Sequence, residues 1–134
     1  MRILVLAVGR LRAPFADDVA HYEKLLSRYA RVEVIEVVEE ERLARRIPER
    51  AHVVVCDERG KAHASEAFAR WLEGRRHAGQ DLVFVLGGPF GTSVQGAEQL
   101  SFGPMTLPFQ LARVVLLEQL YRAHKILAGE PYHH

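Results

Sequence analysis

Four short apolar runs constrain this chain more than anything else in it. Residues 2–8, Val32–Val38, Val53–Cys56 and Leu82–Leu86 are dominated by aliphatic and β-branched side chains. A strand with one wet face alternates apolar and polar residues. A nearly unbroken run marks a strand covered on both faces, as in a parallel sheet. The stretches between the runs follow a different period. From Pro14 to about Tyr29, Phe15, Val19, Tyr22, Leu25 and Leu26 form one helical stripe. Phe68, Trp71 and Leu72 do the same in a helix from Ser65, its expected N-cap, through Arg76. Glu39 to about Arg46 reads as a short charged helix that Pro48 ends. Asp57–Lys61 reads as a turn, Val94–Leu100 as one more helix, and Ser101–Leu107 as a loop or very short strand. Pro108 suits the first turn of a last helix running to about Leu127, where Gly129 stops it. Alternating strands and helices predict an α/β fold with a mostly parallel sheet covered on both faces. Such sheets bind ligands at the carboxyl ends of their strands. Three loops qualify: after Cys56, after Leu86, and around Phe102–Leu107.

The 134 residues have the size of one domain, with no repeat or linker to divide them. About half are apolar, enough for a sizeable core without cross-links. A single cysteine, Cys56, excludes an internal disulfide and a multi-cysteine zinc site. The apolar start is too short to span a membrane, and no cleavage signal follows it, so the expected compartment is the cytoplasm. A net charge of +1 is far from that of a protein that coats naked RNA. It leaves room for a local basic patch, built mainly from arginine since Lys24, Lys61 and Lys125 are the only lysines.

Gly87-Gly88-Pro89-Phe90-Gly91, directly after a buried strand, serves either a tight turn or a ligand that approaches the backbone closely. It matches neither the dinucleotide fingerprint nor a Walker loop. The last helix is apolar on more than one face, which suits either a helix central to the core or one that also meets a second subunit. Arg113 and Arg122 interrupt it as structural arginines or phosphate ligands. The chain closes on Tyr132-His133-His134, a tail with an imidazole suited to acid–base work. Two adjacent histidines are a poor metal pair, so no metal is expected. Cys56 reads as an inert core thiol, and Glu39-Glu40-Glu41-Arg42 as a solvated face.

Taken in order, several segments resemble the ribosomal RNA large subunit methyltransferase H family, the 23S rRNA pseudouridine N3-methyltransferases of the SPOUT superfamily. They are Ile3–Gly9, Phe84–Gly91, Leu100–Pro108, Arg113–Ala123 and Pro131-Tyr132-His133. The resemblance spans nearly the whole chain. It implies a C-terminal trefoil knot, a feature that connection rules make very rare. It also implies S-adenosylmethionine as cofactor, with contacts at Cys56, Gly87, Phe102, Gly103, Pro104, Met105, Thr106 and Leu107. The implied partners are a second copy of the chain, meeting it through the last helix, and 23S rRNA in the assembled ribosome. The implied target is a pseudouridine of helix 69. Within that frame His133 is the candidate base for the N3 proton, and Arg122 and Arg113 are candidates to hold phosphate or a developing anion.

Some positions depart from the family pattern. Leucine is common where Cys56 stands, and an acidic or polar residue where Phe90 stands. The tail usually continues with a basic residue where His134 stands, and a segment between Val38 and Ala51 is trimmed. Rival readings are a SPOUT methyltransferase acting on tRNA or another rRNA site, a non-catalytic ribosome assembly factor, and a flavodoxin-like or nucleotide-binding module.

Overall fold

The computed structural model describes residues 1–87 and 94–132. Its centre is a five-stranded sheet in the order β2-β1-β4-β3-β5, with every neighbouring pair parallel. The strands are β1 (Arg2–Val8), β2 (Arg31–Val37), β3 (His52–Ala62), β4 (Leu82–Leu86) and β5 (Glu98–Ser101). The helices are α1 (Phe15–Leu26), α2 (Leu43–Arg46, entered by a 3-10 turn over Glu40–Arg42), α3 (Ser65–Ala78) and α4 (Phe109–Leu127). The four apolar runs are all strands, and the two most uninterrupted, β1 and β4, lie side by side inside the sheet.

Successive side chains of a strand point to opposite faces, and the core divides accordingly. Ile3, Val5 and Ala7 of β1, with Leu82, Phe84 and Leu86 of β4, face α1, α3 and α4. Leu4, Leu6, Val83 and Val85 face the other way, toward Leu43 of the four-residue α2. One face therefore carries three long helices and the other a thin cover. On the thick side α4 packs against both α1 and α3. This accounts for much of its apolar surplus within one chain: Leu116, Leu117, Leu120 and Ala123 are buried there.

Three local expectations are corrected. Val94–Leu100 is not a helix. Residues 94–97 form a turn in which Gly96 takes φ +77°, a conformation that helices do not contain, and Glu98–Ser101 extends along the sheet edge. There Leu100 and Ser101 are buried while Gln99 is exposed. Asp57–Lys61 is not a turn that follows the strand but an irregular stretch within β3 itself. Cys56 and Lys61 both sit opposite Leu100 of β5, so residues 57–60 leave the ladder as an excursion and β3 resumes to Ala62. Nor does Ser65 cap α3. Ala64 occupies that position, and the Ser65 hydroxyl donates to Oε1 of Gln119 on α4 at 2.9 Å.

Gly60 lies where the excursion re-enters the sheet. A Cβ there would come within 2.6 Å of the backbone carbon of Gln99. Gly60→Ala must push β5 off β3, at a cost of roughly 1–3 kcal/mol, read as a loss of unfolding free energy in urea.

His124 is buried in α4. Its Nδ1–H donates to the Leu120 carbonyl at 2.7 Å, and its Nε2 has no partner among the described residues. Burial depresses the pKa of this ring, and the Arg76 charge adds to the effect against the Leu120 hydrogen bond. The unfolded ring titrates near about 6.5, so below that pH the unfolded chain takes up a proton that the folded chain refuses. Stability should fall as pH drops from 7.5 to 5.5. The difference between wild type and His124→Phe, measured by urea unfolding at both pH values, should show wild type losing more.

Candidate active site

At the carboxyl edge of the sheet two of the three expected ligand loops are tied to each other. The Ser101 hydroxyl lies 3.1 Å from the Glu58 carbonyl and 2.9 Å from the Gly103 carbonyl, and it accepts from the Gly103 N–H at 3.0 Å. Farther out, Thr106 Oγ1 donates to the Glu58 carboxylate at 2.7 Å. The 57–60 excursion and the loop after β5 are thus one braced unit. Asp57 is locked within it by Arg59, whose hydrogen bonds hold the Asp57 carboxyl down to about 2.

Cys56 sits at the base of this unit, half-buried and packed against the main core. Burial raises its thiol pKa far above the ordinary range, so the residue offers apolar surface rather than a thiolate. Gly87 follows β4, next to β3 in the sheet, where Val55 stands opposite Val85. Phe102, Gly103 and Leu107 are half-buried, whereas Pro104, Met105 and Thr106 are exposed. Space is open beyond Gly103, where an added Cβ would meet nothing within 4 Å. Phe102 and Gly103 also border a cavity of about 210 Å³ between α3 and α4, whose other walls include His63, Ser65, Phe68, Leu100 and Gln119. It is mostly apolar with a few polar side chains, the usual make-up of a small-molecule pocket.

The two candidate arginines are not brought together. Nine positions apart on one helix, they lie on opposite faces. The Arg113 side chain is 1% exposed. Its Nη2 donates to the Gly9 carbonyl at 3.1 Å, its Nη1 stands 3.9 Å from Glu36, and burial lowers its pKa. Arg122 pairs with Glu118 at 2.7 Å and lies over the Tyr132 ring, 4.4 Å from its centroid. The Tyr132 hydroxyl donates to the same Glu118 carboxylate at 2.9 Å, which anchors the tail one residue before His133. His133 and His134 lie outside the described residues, as do Gly88, Pro89, Phe90 and Gly91.

Sequence reading missed the residues that organise the loop after β1. Gly9 N–H donates to the Val37 carbonyl, and Leu11 N–H to the Glu36 carboxylate, both at 2.9 Å. Gln110, at the start of α4, accepts from Arg12 N–H at 2.7 Å and donates to the Arg10 carbonyl at 2.8 Å. The available signal was Glu36 itself, a charge breaking an apolar run next to its carboxyl end.

Comparison with known proteins decides the family. A family model described as "Predicted SPOUT methyltransferase" matches residues 1–133. Two proteins named ribosomal RNA large subunit methyltransferase H are similar along their whole length. The one from Gemmatimonas aurantiaca is 41% identical, covering 99% of each chain, and the one from Rubrobacter xylanophilus is 44% identical, covering 98% of each. This chain belongs to the ribosomal RNA large subunit methyltransferase H family, within the SPOUT methyltransferases. Among solved structures, the protein Lpg2936 of Legionella pneumophila, solved in complex with its cofactor SAM, has the same fold. Its TM-score is 0.51 at 13% identity, over 92% of this chain and 66% of that one.

The Gln110 bridge makes a direct test of the β1 loop. Gln110→Ala removes both of its hydrogen bonds and should cost about 1–3 kcal/mol. Hydrogen exchange should show the Arg12 amide losing its protection while amides of β4 keep theirs.

Proposed function

We propose that this chain transfers a methyl group from S-adenosylmethionine to N3 of a pseudouridine in 23S rRNA, within helix 69 of the assembled ribosome. The observation that carries the reading is the full-length match to ribosomal RNA methyltransferases on a chain whose ligand loops are braced together at the carboxyl end of the sheet. The residues present suit the cofactor. Cys56 and Phe102 supply apolar contact, Gly87 has no side chain to block a ligand, Gly103 leaves open space beside its backbone, and the polar groups nearby include backbone carbonyls, hydroxyls and the Glu58 carboxylate. When bound, S-adenosylmethionine supplies a methyl group activated by the positive sulfur that carries it.

The protein's work is alignment and proton handling. Gly87 and the loop Phe102–Leu107 hold the donor side, so that the acceptor nitrogen approaches in line. That nitrogen must lose its proton, and His133 accepts it through a ring nitrogen. Support for this assignment comes from Tyr132, fixed to Glu118 and Arg122 at the root of the tail. Arg122 holds that anchor, and Arg113 acts indirectly by securing the Gly9 carbonyl. The chain works as a homodimer through the α1–α4 side. There Tyr22, Tyr29, Tyr121 and Tyr132 cluster half-buried and Ile126 is 37% exposed. The C-terminal knot implied by the resemblance belongs to the same proposal. No helix among the described residues is long and apolar enough to cross a membrane.

Calorimetry with S-adenosylmethionine and methylation of ribosomes lacking the modification, read by mass spectrometry of the rRNA, test the proposal. Wild type should bind and methylate, and Gly87→Trp should do neither. His133→Ala should keep its cofactor affinity and lose about 10²-fold or more in kcat. Cofactor binding without rRNA methylation would point to a different RNA substrate, and no binding even with ribosomes present would favour the assembly-factor reading.

A further inference from the structure

We propose that Arg10 and Arg12 form a rigid docking point for the phosphate backbone of the RNA substrate, an inference that rests on the rRNA-directed reading above. β1 is the sheet neighbour of β4, with Ala7 opposite Leu86, so the loop that begins at Gly9 lies beside Gly87. A cation here stands at the same end of the sheet as the proposed donor loops.

Both arginines are exposed, yet the backbone that carries them is held on every side. Gln110 takes the Arg12 N–H and the Arg10 carbonyl, Glu36 takes the Leu11 N–H, and Arg113 takes the Gly9 carbonyl. The Arg12 carbonyl in turn accepts from Phe15 N–H at the start of α1. Gly9 adopts φ +95°, and a Cβ on it would come 3.2 Å from the Phe109 ring, so the turn is fitted against α4. A buried glutamine and a buried arginine spent on an exposed loop imply that its conformation matters. A guanidinium on a fixed backbone loses less freedom on binding than one on a mobile loop.

Arg59, Arg122 and Lys125 are neutralised by Asp57, Glu118 and Glu130. No ion pair involves Arg10 or Arg12 among the described residues. Glu36, which takes the amide of Leu11 between them, is also paired with Arg113. Asp17 and Asp18 stand in the first turn of α1, where they complement the positive end of the helix. With a net charge of only +1, attraction to RNA must come from local sites. Arginine presents two parallel donors to a phosphate. Such contacts position the RNA without reading its sequence, leaving choice of base to the pocket.

The test compares ribosome methylation by wild type, Arg10→Ala/Arg12→Ala, Arg10→Lys/Arg12→Lys, and a control Arg45→Ala/Arg46→Ala on α2. The alanine pair should raise KM for ribosomes about tenfold or more with kcat and cofactor affinity held. It should also flatten the dependence of log KM on log salt by about 1–2, as expected for two lost phosphate contacts. Lysines should restore part of the affinity, and the control should behave as wild type. Unchanged KM and salt slope would overturn the proposal, as would an equal loss in the control. Loss of cofactor binding in the alanine pair would overturn it too, by assigning the loop to the donor site. Wild type that binds cofactor but leaves rRNA unmethylated would fail the functional reading itself, a result distinct from all of these.

Discussion

The candidate site depends on one awkward pairing: β3 meets β5 twice at the same residue. Cys56 and Lys61 both stand opposite Leu100, and the residues between them have to leave the sheet. The excursion is held because Gly60 lets its backbone rest on Gln99, and because the Ser101 hydroxyl reaches the Glu58 carbonyl. An edge strand of four residues would be marginal alone. Here its last residue doubles as the clamp on the loop that follows. The same hydroxyl that ends β5 shapes the start of the Phe102–Leu107 segment.

A second bracket works from the first turns of α4. Gln110 and Arg113 reach the loop after β1, and Glu36 completes the set from β2. A buried guanidinium costs several kcal/mol in desolvation unless well partnered. Arg113 is only partly so, since its Nε and Nη1 lack hydrogen-bond partners among the described residues. Its burial is better understood as fixing geometry than as adding stability. Toward its other end α4 carries Glu118 and Arg122, which gather Tyr132 and the start of the tail. One helix therefore holds elements of both ends of the site.

The strands and long helices were legible because burial on two faces and on one stripe leaves different periods in the sequence. β1 and β4 are uninterrupted apolar runs, and Phe68 with Leu72 marks the inner face of α3. β5 was not legible: Glu98 and Gln99 are polar, and Val94, Ala97 and Leu100 mimic a helical spacing that Gly96 forbids. The contacts that unite the site join residues 43 and 48 positions apart. No local pattern announces those. Ser65 shows the same limit, because its sequence position suggests a cap while its hydroxyl belongs to a contact with Gln119. The family resemblance nominated Cys56 and the loop from Phe102, and the structure adds how they are held.

The clamp between Glu58, Ser101 and Thr106 has a thermodynamic corollary. Ordering a loop of several residues is entropically expensive, and a pocket that closes only around its ligand draws that expense from affinity. Here the hydrogen bonds that order the loop are the ones that Ser101 makes at the end of β5. Occupancy of the pocket and integrity of the sheet edge thus rest on the same few hydrogen bonds. A ligand that grips this loop would protect the outermost strand from fraying, and a frayed strand would leave nothing to grip.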